Sequence, residues 1–322
     1  MCKLYNELKI FTIMTEFKTF REISILWREE KRKYVKLSTI SVYAIILENH
    51  LFPAFGDNIK AIEESNVQCF VFNKLNAGLN QKTVKDFLIV LKMVYRFAVK
   101  LGLMEHREWD VKFPISQERI GIDVLSIANH RRLVKFITQN FTFRNLGILL
   151  CLHTGMRIGE VCALKWEDID IAQGIINVKR TIERIYIIEN GNRHTKLIIS
   201  TPKTKNSIRE IPLSRELIKM IKPLKKVVNS AFFVLTNECK PTEPRTYRNY
   251  YKSVLHNLQI PLLKFHGLRH SFATRCIESQ CDYKTVSVIL GHANISTTLN
   301  LYVHPNFEQK KKCIEKMTKR LK

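Results

Sequence analysis

The sequence has no window of about 18 uninterrupted apolar residues, the length a helix needs to cross a bilayer. Its N-terminus also lacks an apolar stretch ending in small residues of the kind that directs secretion. A soluble, intracellular protein with no membrane partner is expected. No C-x-x-C pair occurs among the eight cysteines, which lie scattered at Cys2, Cys69, Cys151, Cys162, Cys239, Cys276, Cys281 and Cys313. That pattern argues against a disulfide framework or a zinc site and for reduced, mostly buried thiols. Internal repeats and low-complexity segments are absent too. Acidic residues are few: 29 Asp and Glu face 53 Lys and Arg, for a formal net charge of +24 and a pI near 9.8. An excess of that size points to a polyanionic partner, with nucleic acid the default.

What is present suits a globular chain of two domains. The 322 residues are 45% hydrophobic, enough for each domain to bury a core without staples. From about residue 17 to 103 the pattern is helical. In TVKDFLIVLKMVYRFAVKLG, residues Val84, Phe87, Leu88, Leu91, Val94, Tyr95 and Ala98 recur at spacings of three and four. Lys85, Lys92, Arg96 and Lys100 occupy the opposite face, and Gly102 suits the C-terminal cap. YVKLSTISVYAIILENHLFPAFG predicts another helix, opened by Ser38 or Thr39 and stopped before Pro53. A polar stretch around KFPISQERIGID, with Pro114 and Gly121, reads as a linker.

The expected organisation is a short extension over 1–15, an all-helical domain over 16–114, a linker over 115–121 and a second domain over 122–322. In the second domain helices run to about Leu152. The β-rich runs GIINVKRT, RIYIIENGN, TKLIIST and SIREIPL follow, with NGN as a hairpin turn, and helices return from Ser214. The fold class is α+β and mostly α, an all-helical N-terminal domain followed by a mixed α/β domain with a small antiparallel sheet.

The segment LLKFHGLRHSFATRC puts His266, Arg269 and His270 on one helical face. His266 and His270 have the spacing of a zinc pair, but Gly267 stands where H-E-x-x-H would place its Glu, and no third ligand lies nearby. The other reading is an anion site, with Arg as a planar fork and His as single donors. Taken alone, the cluster does not choose between a site and ordinary packing. Three other segments bear on it. LHTGMRIGEVCALKWEDID sets Arg157 just after Thr154 and Gly155, at a helix start where backbone N–H groups favour an anion. TPKTKNSIREIPL sets Lys203 and Lys205 in a turn between two strands. VSVILGHANISTTLNLYVHP sets His292 after a helix stop at Gly291, then Tyr302 on a short helix opened by Ser296 and closed before Pro305.

The series R-x-x-E (Arg157, Glu160), a hairpin lysine (Lys203), H-x-x-R (His266, Arg269), G-H (Gly291, His292) and a tyrosine ten residues on (Tyr302) resembles the tyrosine recombinase family in order and interval. It is most similar to the integrases of phages and conjugative transposons. The resemblance covers nearly all the chain, the N-terminal helices resembling the family's core-binding domain. It implies a site-specific DNA recombinase of a mobile element that cleaves and rejoins double-stranded DNA through a 3′-phosphotyrosine, with no metal or other cofactor. Tyr302 is then the nucleophile, and Arg157 and Arg269 hold the phosphate. Lys203 is the general acid, His266 exchanges protons with the nucleophile, His292 hydrogen-bonds the phosphate, and Glu160 orients a basic neighbour. Lys205 could replace Lys203, though the T-P-K-T setting favours Lys203. His270 falls outside H-x-x-R and reads as packing, and Tyr283 precedes His292, outside the pattern.

The chemistry explains these groups. A phenol of pKa about 10 is ionised in only about one part in a thousand at pH 7. Two guanidiniums address the added charge of the pentacoordinate transition state, each lost donor of that kind costing about 3 to 4 kcal/mol. An ammonium can protonate the leaving 5′-oxygen.

The resemblance also implies a homo-tetramer on DNA, an excisionase or DNA-bending accessory protein, and work at the nucleoid in the bacterial cytoplasm. Lys36, Lys82, Lys85, Lys92, Arg245 and Arg248 are candidate DNA contacts. About fifteen residues precede the helical unit, too few for the arm-binding domain of the larger phage integrases. The tail QKKKCIEKMTKRLK carries seven basic residues and a stripe of Cys313, Ile314, Met317 and Leu321, suited to docking on a neighbouring protomer.

Overall fold

The computed structural model describes residues 19–302 except 57, 60–61, 116–122, 190–191 and 203–204, together with 311, 314–315 and 317–319. The expected extension over 1–15, Lys203, and all of the expected linker but Ile115 lie outside the described residues. The chain divides into two compact units, Met1–Arg119 with Ile185–Lys196, and Ile120–Arg184 with Leu197–Lys322.

In the first unit, helix α1 (Phe20–Arg32) opens with a capping box, Thr19 Oγ1 accepting from the Glu22 N–H while Glu22 Oε2 accepts from the Thr19 N–H. Helix α2 (Leu37–Ile46) begins after Lys36 with no side-chain cap, so neither Ser38 nor Thr39 opens it; both lie inside its first turn. Nor does Pro53 stop the helix. A π-helical turn, Leu47–Leu51, leads straight into α3 (Phe52–Phe55), and Pro53 sits in the first turn of α3. Helix α4 (Glu64–Asn76) precedes α5 (Gln81–Lys100), which Asn80 caps by accepting from the Thr83 N–H at 2.8 Å. All seven apolar residues expected on the inner face of α5 are buried, against Phe20, Trp27, Leu47, Leu51 and Phe70. Gly102 closes it in the left-handed region, at φ +74°.

The second unit starts with α6 (Ile127–Gln139), α7 (Phe143–Thr154) and α8 (Ile158–Cys162). Helix α7 is buried along most of its length and runs through the core beside Trp166, Tyr247 and Tyr251. The antiparallel strands β1 (Ile169–Asp170), β2 (Ile175–Val178) and β5 (Arg209–Pro212) form one sheet in that order, with Ile176 opposite Ile211. Strands β3 (Thr181–Glu189) and β4 (Asn192–Ser200) form a second, two-stranded sheet, of which Ile185–Lys196 is counted with the first unit. All four β-rich runs of the sequence are therefore strands. The segment holding Lys203 connects the two sheets rather than closing a hairpin, because β4 and β5 do not pair. Helices α9 (Arg215–Lys225), α10 (Pro244–Asn257), α11 (His266–Glu278), α12 (Tyr283–Leu290) and α13 (Ser296–Tyr302) follow, with Ser214 capping α9 as its position suggests.

The chain is thus mostly helical, with small antiparallel sheets. Among the described residues no helix is long and apolar enough to cross a membrane. The six described cysteines are all free, but only Cys151 and Cys162 are buried; Cys276 is half-buried, and Cys69, Cys239 and Cys281 are exposed. The expectation of mostly buried thiols fails because the others fall on outer helix faces and in turns.

Candidate active site

Helix α7 ends at Gly155 in the left-handed conformation, φ +64°, and Arg157 two residues later is the extended residue from which α8 starts. The Arg157 N–H donates to Glu160 Oε2 (2.9 Å) and its Nη1 to Glu160 Oε1 (2.8 Å), so R-x-x-E spacing closes a ring over one helical turn. Arg157 Nη2 donates to the carbonyl of Gly291 (3.2 Å). Gly291 is the left-handed cap of α12, φ +66°. A Cβ there would lie 2.7 Å from the Asn206 carbonyl oxygen and 3.1 Å from Arg209 Cδ, so glycine is required for both conformation and space.

Arg269, in the first turn of α11 and 2% exposed, donates from Nη1 to the Gly155 carbonyl at 2.9 Å. Each of the two arginines is therefore held by the carbonyl of a glycine that ends a helix. A helix-capping carbonyl has no partner in its own ladder and is available for this. His266 opens α11, its ring meeting that of His270 edge to face with centroids 4.6 Å apart. His292 directly follows Gly291, and its Nδ1 lies 2.8 Å from Oγ1 of Thr298, which is fully buried on α13.

These groups feel one another. Burial pushes the His266 imidazole down to about 4, with His270, Arg269 and Arg157 adding to the effect and Glu160 opposing it. Burial also lowers His292 to about 4, and Arg269, Arg157, His266 and Arg209 add to it. Both rings are thus neutral at pH 7, able to accept a proton, while the positive charge is carried by guanidiniums. Burial alone would raise the Glu160 carboxyl; the hydrogen bonds and charge of Arg209, with those of Arg157, outweigh it and hold it below its ordinary value.

Of the residues singled out in the sequence, the structure brings together Arg157, Glu160, His266, Arg269 and His292. The backbone of Tyr302 is the last residue of α13, one helical turn beyond Thr298; its side chain, like all of Lys203, lies outside what is described. Lys82 and Lys85 are exposed on α5, and Lys36 and Lys92 are half-buried; the Lys85 ammonium sits 5.0 Å from the centre of the Phe113 ring. Arg245 and Arg248 are exposed one turn apart on α10. Two members of the cluster were not anticipated. Arg209 is buried at an inward position of β5 and bonds Glu160 twice, and Thr298 ties His292 to the helix of Tyr302. The alternation in SIREIPL could have revealed Arg209, since an arginine at an inward strand position demands a buried acceptor. Nothing in the sequence singles out Thr298 from its neighbour Thr297.

A model of the phage integrase family matches residues 124–309, and one of the phage integrase N-terminal SAM-like domain matches residues 19–75. Over 283 residues the chain is 33% identical to a XerC-like tyrosine recombinase of Caldanaerobacter subterraneus subsp. tengcongensis, spanning 81% of this chain and 72% of that protein. Over 286 residues it is 22% identical to the ICEBs1 integrase of Bacillus subtilis, spanning 84% and 75%. Among solved structures, its fold is similar to that of the Tn1549 transposon integrase in complex with transposon right end DNA, with a TM-score of 0.74 at 21% identity, covering 92% of this chain and 99% of that one.

Proposed function

The chain belongs to the phage integrase family and is a tyrosine-type site-specific recombinase of mobile elements, and on that premise we propose how its own residues carry the reaction. Arg157 and Arg269 bind the non-bridging oxygens of a scissile DNA phosphate. The phenolic oxygen of Tyr302 attacks the phosphorus, forming a Tyr–O–P bond as the P–O5′ bond breaks, and its proton passes to neutral His266. Lys203 protonates the departing 5′-oxygen, and His292 donates to the phosphate. Rejoining runs the same steps backward with the 5′-hydroxyl of another strand, so phosphoester bonds are exchanged and none is hydrolysed.

The observation that carries this reading is the convergence of Arg157, Arg269, His266 and His292, drawn from three separate helix ends, with each guanidinium held by a glycine carbonyl and both imidazoles within reach of the guanidiniums' charge. The contact of His292 with Thr298 brings the helix of Tyr302 to the same place. The guanidinium pair supplies the charge that other phosphoryl-transfer enzymes take from metal ions, so no cofactor is required.

The helical domain over 16–114, with Lys36, Lys82, Lys85 and Lys92, and the domain over 122–322, with Arg245 and Arg248, bind the same duplex. Phosphate contacts of that kind position the protein without reading sequence. Exchange between two duplexes involves four strands and hence four copies of Tyr302, which supports a homo-tetramer on DNA. The C-terminal tail docks on the neighbouring protomer, and an excisionase or bending protein sets direction. The setting is the nucleoid of a bacterial cytoplasm.

The test is recombination in vitro between two duplexes that carry the ends of the element encoding the chain, with excess chelator and no nucleotide. Recombinant product is expected. Activity that is lost with chelator and restored by a divalent ion would contradict the reading.

A further inference from the structure

We propose that Arg209 is the positioning residue that keeps Arg157 aimed at the scissile phosphate and the group around Glu160 net positive, an inference that rests on the role given to Arg157 above. Arg209 opens β5, where burial alternates along the strand and turns it inward. Its side chain is 4% exposed, and its donors are turned to acceptors within the protein. Four of its five N–H groups have partners: Nε donates to the Ile289 carbonyl (2.6 Å), Nη1 to the Ser207 carbonyl and to Glu160 Oε1 (both 3.1 Å), and Nη2 to Glu160 Oε2 (2.9 Å).

Both acceptors that hold the Arg157 guanidinium are tied to this one side chain. The first is Glu160 Oε1, gripped by the bidentate fork of Arg209. The second is the Gly291 carbonyl, two residues beyond the Ile289 carbonyl that Arg209 binds. Gly291 also packs on Arg209 itself, so closely that a Cβ would lie 3.3 Å from Nη1. Arg209 therefore fixes the start of α8 and the end of α12 relative to β5, and with them Arg157 and His292, which follows Gly291.

Charge gives a second reason. Paired only with Arg157, Glu160 would cancel the charge that the phosphate needs. Shared between two guanidiniums, it leaves the group of three with a net positive charge, and Arg157, 35% exposed, is the member that faces outward. A lysine in place of Arg209 would keep that charge but lose the fork that orients the carboxylate.

The experiment uses the full chain on nicked duplexes of the element end, made with either an ordinary phosphate or a neutral methylphosphonate at the scissile position. The methylphosphonate lacks one charged oxygen and reduces the need for a cation. Single-turnover adduct formation and half-site affinity are measured for Arg209→Met, Arg209→Lys and Arg157→Ala. On the phosphate, Arg209→Met is expected to react about a hundredfold more slowly, the scale of losing one preorganised donor, with half-site affinity nearly unchanged. On the methylphosphonate it should regain most of that loss relative to wild type, as Arg157→Ala does, and Arg209→Lys should fall between. If Arg209→Met does not fold, Arg209→Lys carries the same comparison. Wild-type rates for the Arg209 variants, or equal losses on the two substrates with Arg157→Ala rescued, would overturn the role of Arg209 alone. Arg157→Ala that is not rescued would overturn the role of Arg157 and, with it, this inference.

Discussion

Arg157 Nη1 donates to Glu160 Oε1 across 2.8 Å in an ion pair whose two sides differ, the carboxylate 2% exposed and the guanidinium 35%. An exposed pair of this spacing on a helix would contribute a few tenths of a kcal/mol. Here the carboxylate is buried and also faces Arg209, so removing it leaves a buried guanidinium without its counter-ion.

Glu160→Ala is accordingly expected to cost about 3 to 5 kcal/mol of stability, the range for breaking a buried ion pair from one side. Denaturant unfolding of the free protein measures it. A loss within about 0.5 kcal/mol, as for an ordinary surface substitution, would mean that the Glu160 cluster does not hold β5, α8 and α12 together.

The two depressed histidines give a pH dependence of known sign. His266 and His292 fall to about 4 in the folded chain from an ordinary value of about 6.5. Between those values the unfolded chain binds protons that the folded chain does not, so stability is full above about pH 6.5 and is lost as pH falls toward 4. A bound phosphate offsets part of the local positive charge and raises both imidazoles. Half-site binding should therefore take up protons and tighten from pH 7 to pH 5, and His292→Asn should reduce the slope. Affinity that is flat over this interval, or an unchanged slope in His292→Asn, would contradict the shared site.

Gly291→Ala tests the helix cap that receives Arg157. The added methyl meets the Asn206 carbonyl oxygen at 2.7 Å in a left-handed backbone, a strain of about 1 to 3 kcal/mol. Since the Gly291 carbonyl anchors Arg157 and His292 is the next residue, cleavage should fall further than half-site binding. Equal losses in both would show that the cap serves folding alone.

Features set by local periodicity were legible in the sequence. The inner face of α5, the four strands and the return to helix at Ser214 each follow from residues within a few positions of one another. The π-helical turn at Leu47–Leu51 was not, because a proline in a helical pattern reads as a stop unless the preceding turn is known to widen. The members of the cluster fall on helix ends and caps, where Gly155, Gly291 and the R-x-x-E spacing are visible, but local pattern alone left them open to ordinary packing; it is the resemblance of the whole series to the tyrosine recombinases that picks out Arg157, Glu160, His266, Arg269 and His292. For Arg209 the alternation of SIREIPL marks an inward position, but not its partner, because Glu160 lies 49 positions earlier.

The most direct measurement is covalent capture. The full chain is incubated with a nicked suicide duplex carrying the element end, so that cleavage releases a short strand and cannot be reversed. The product is then digested and the DNA-bearing peptide identified by mass spectrometry. A 3′-phosphoryl link on Tyr302 is expected, absent from Tyr302→Phe and formed with chelator present. A link mapped to Tyr283 or any other residue, or an adduct that persists in Tyr302→Phe, would contradict the account.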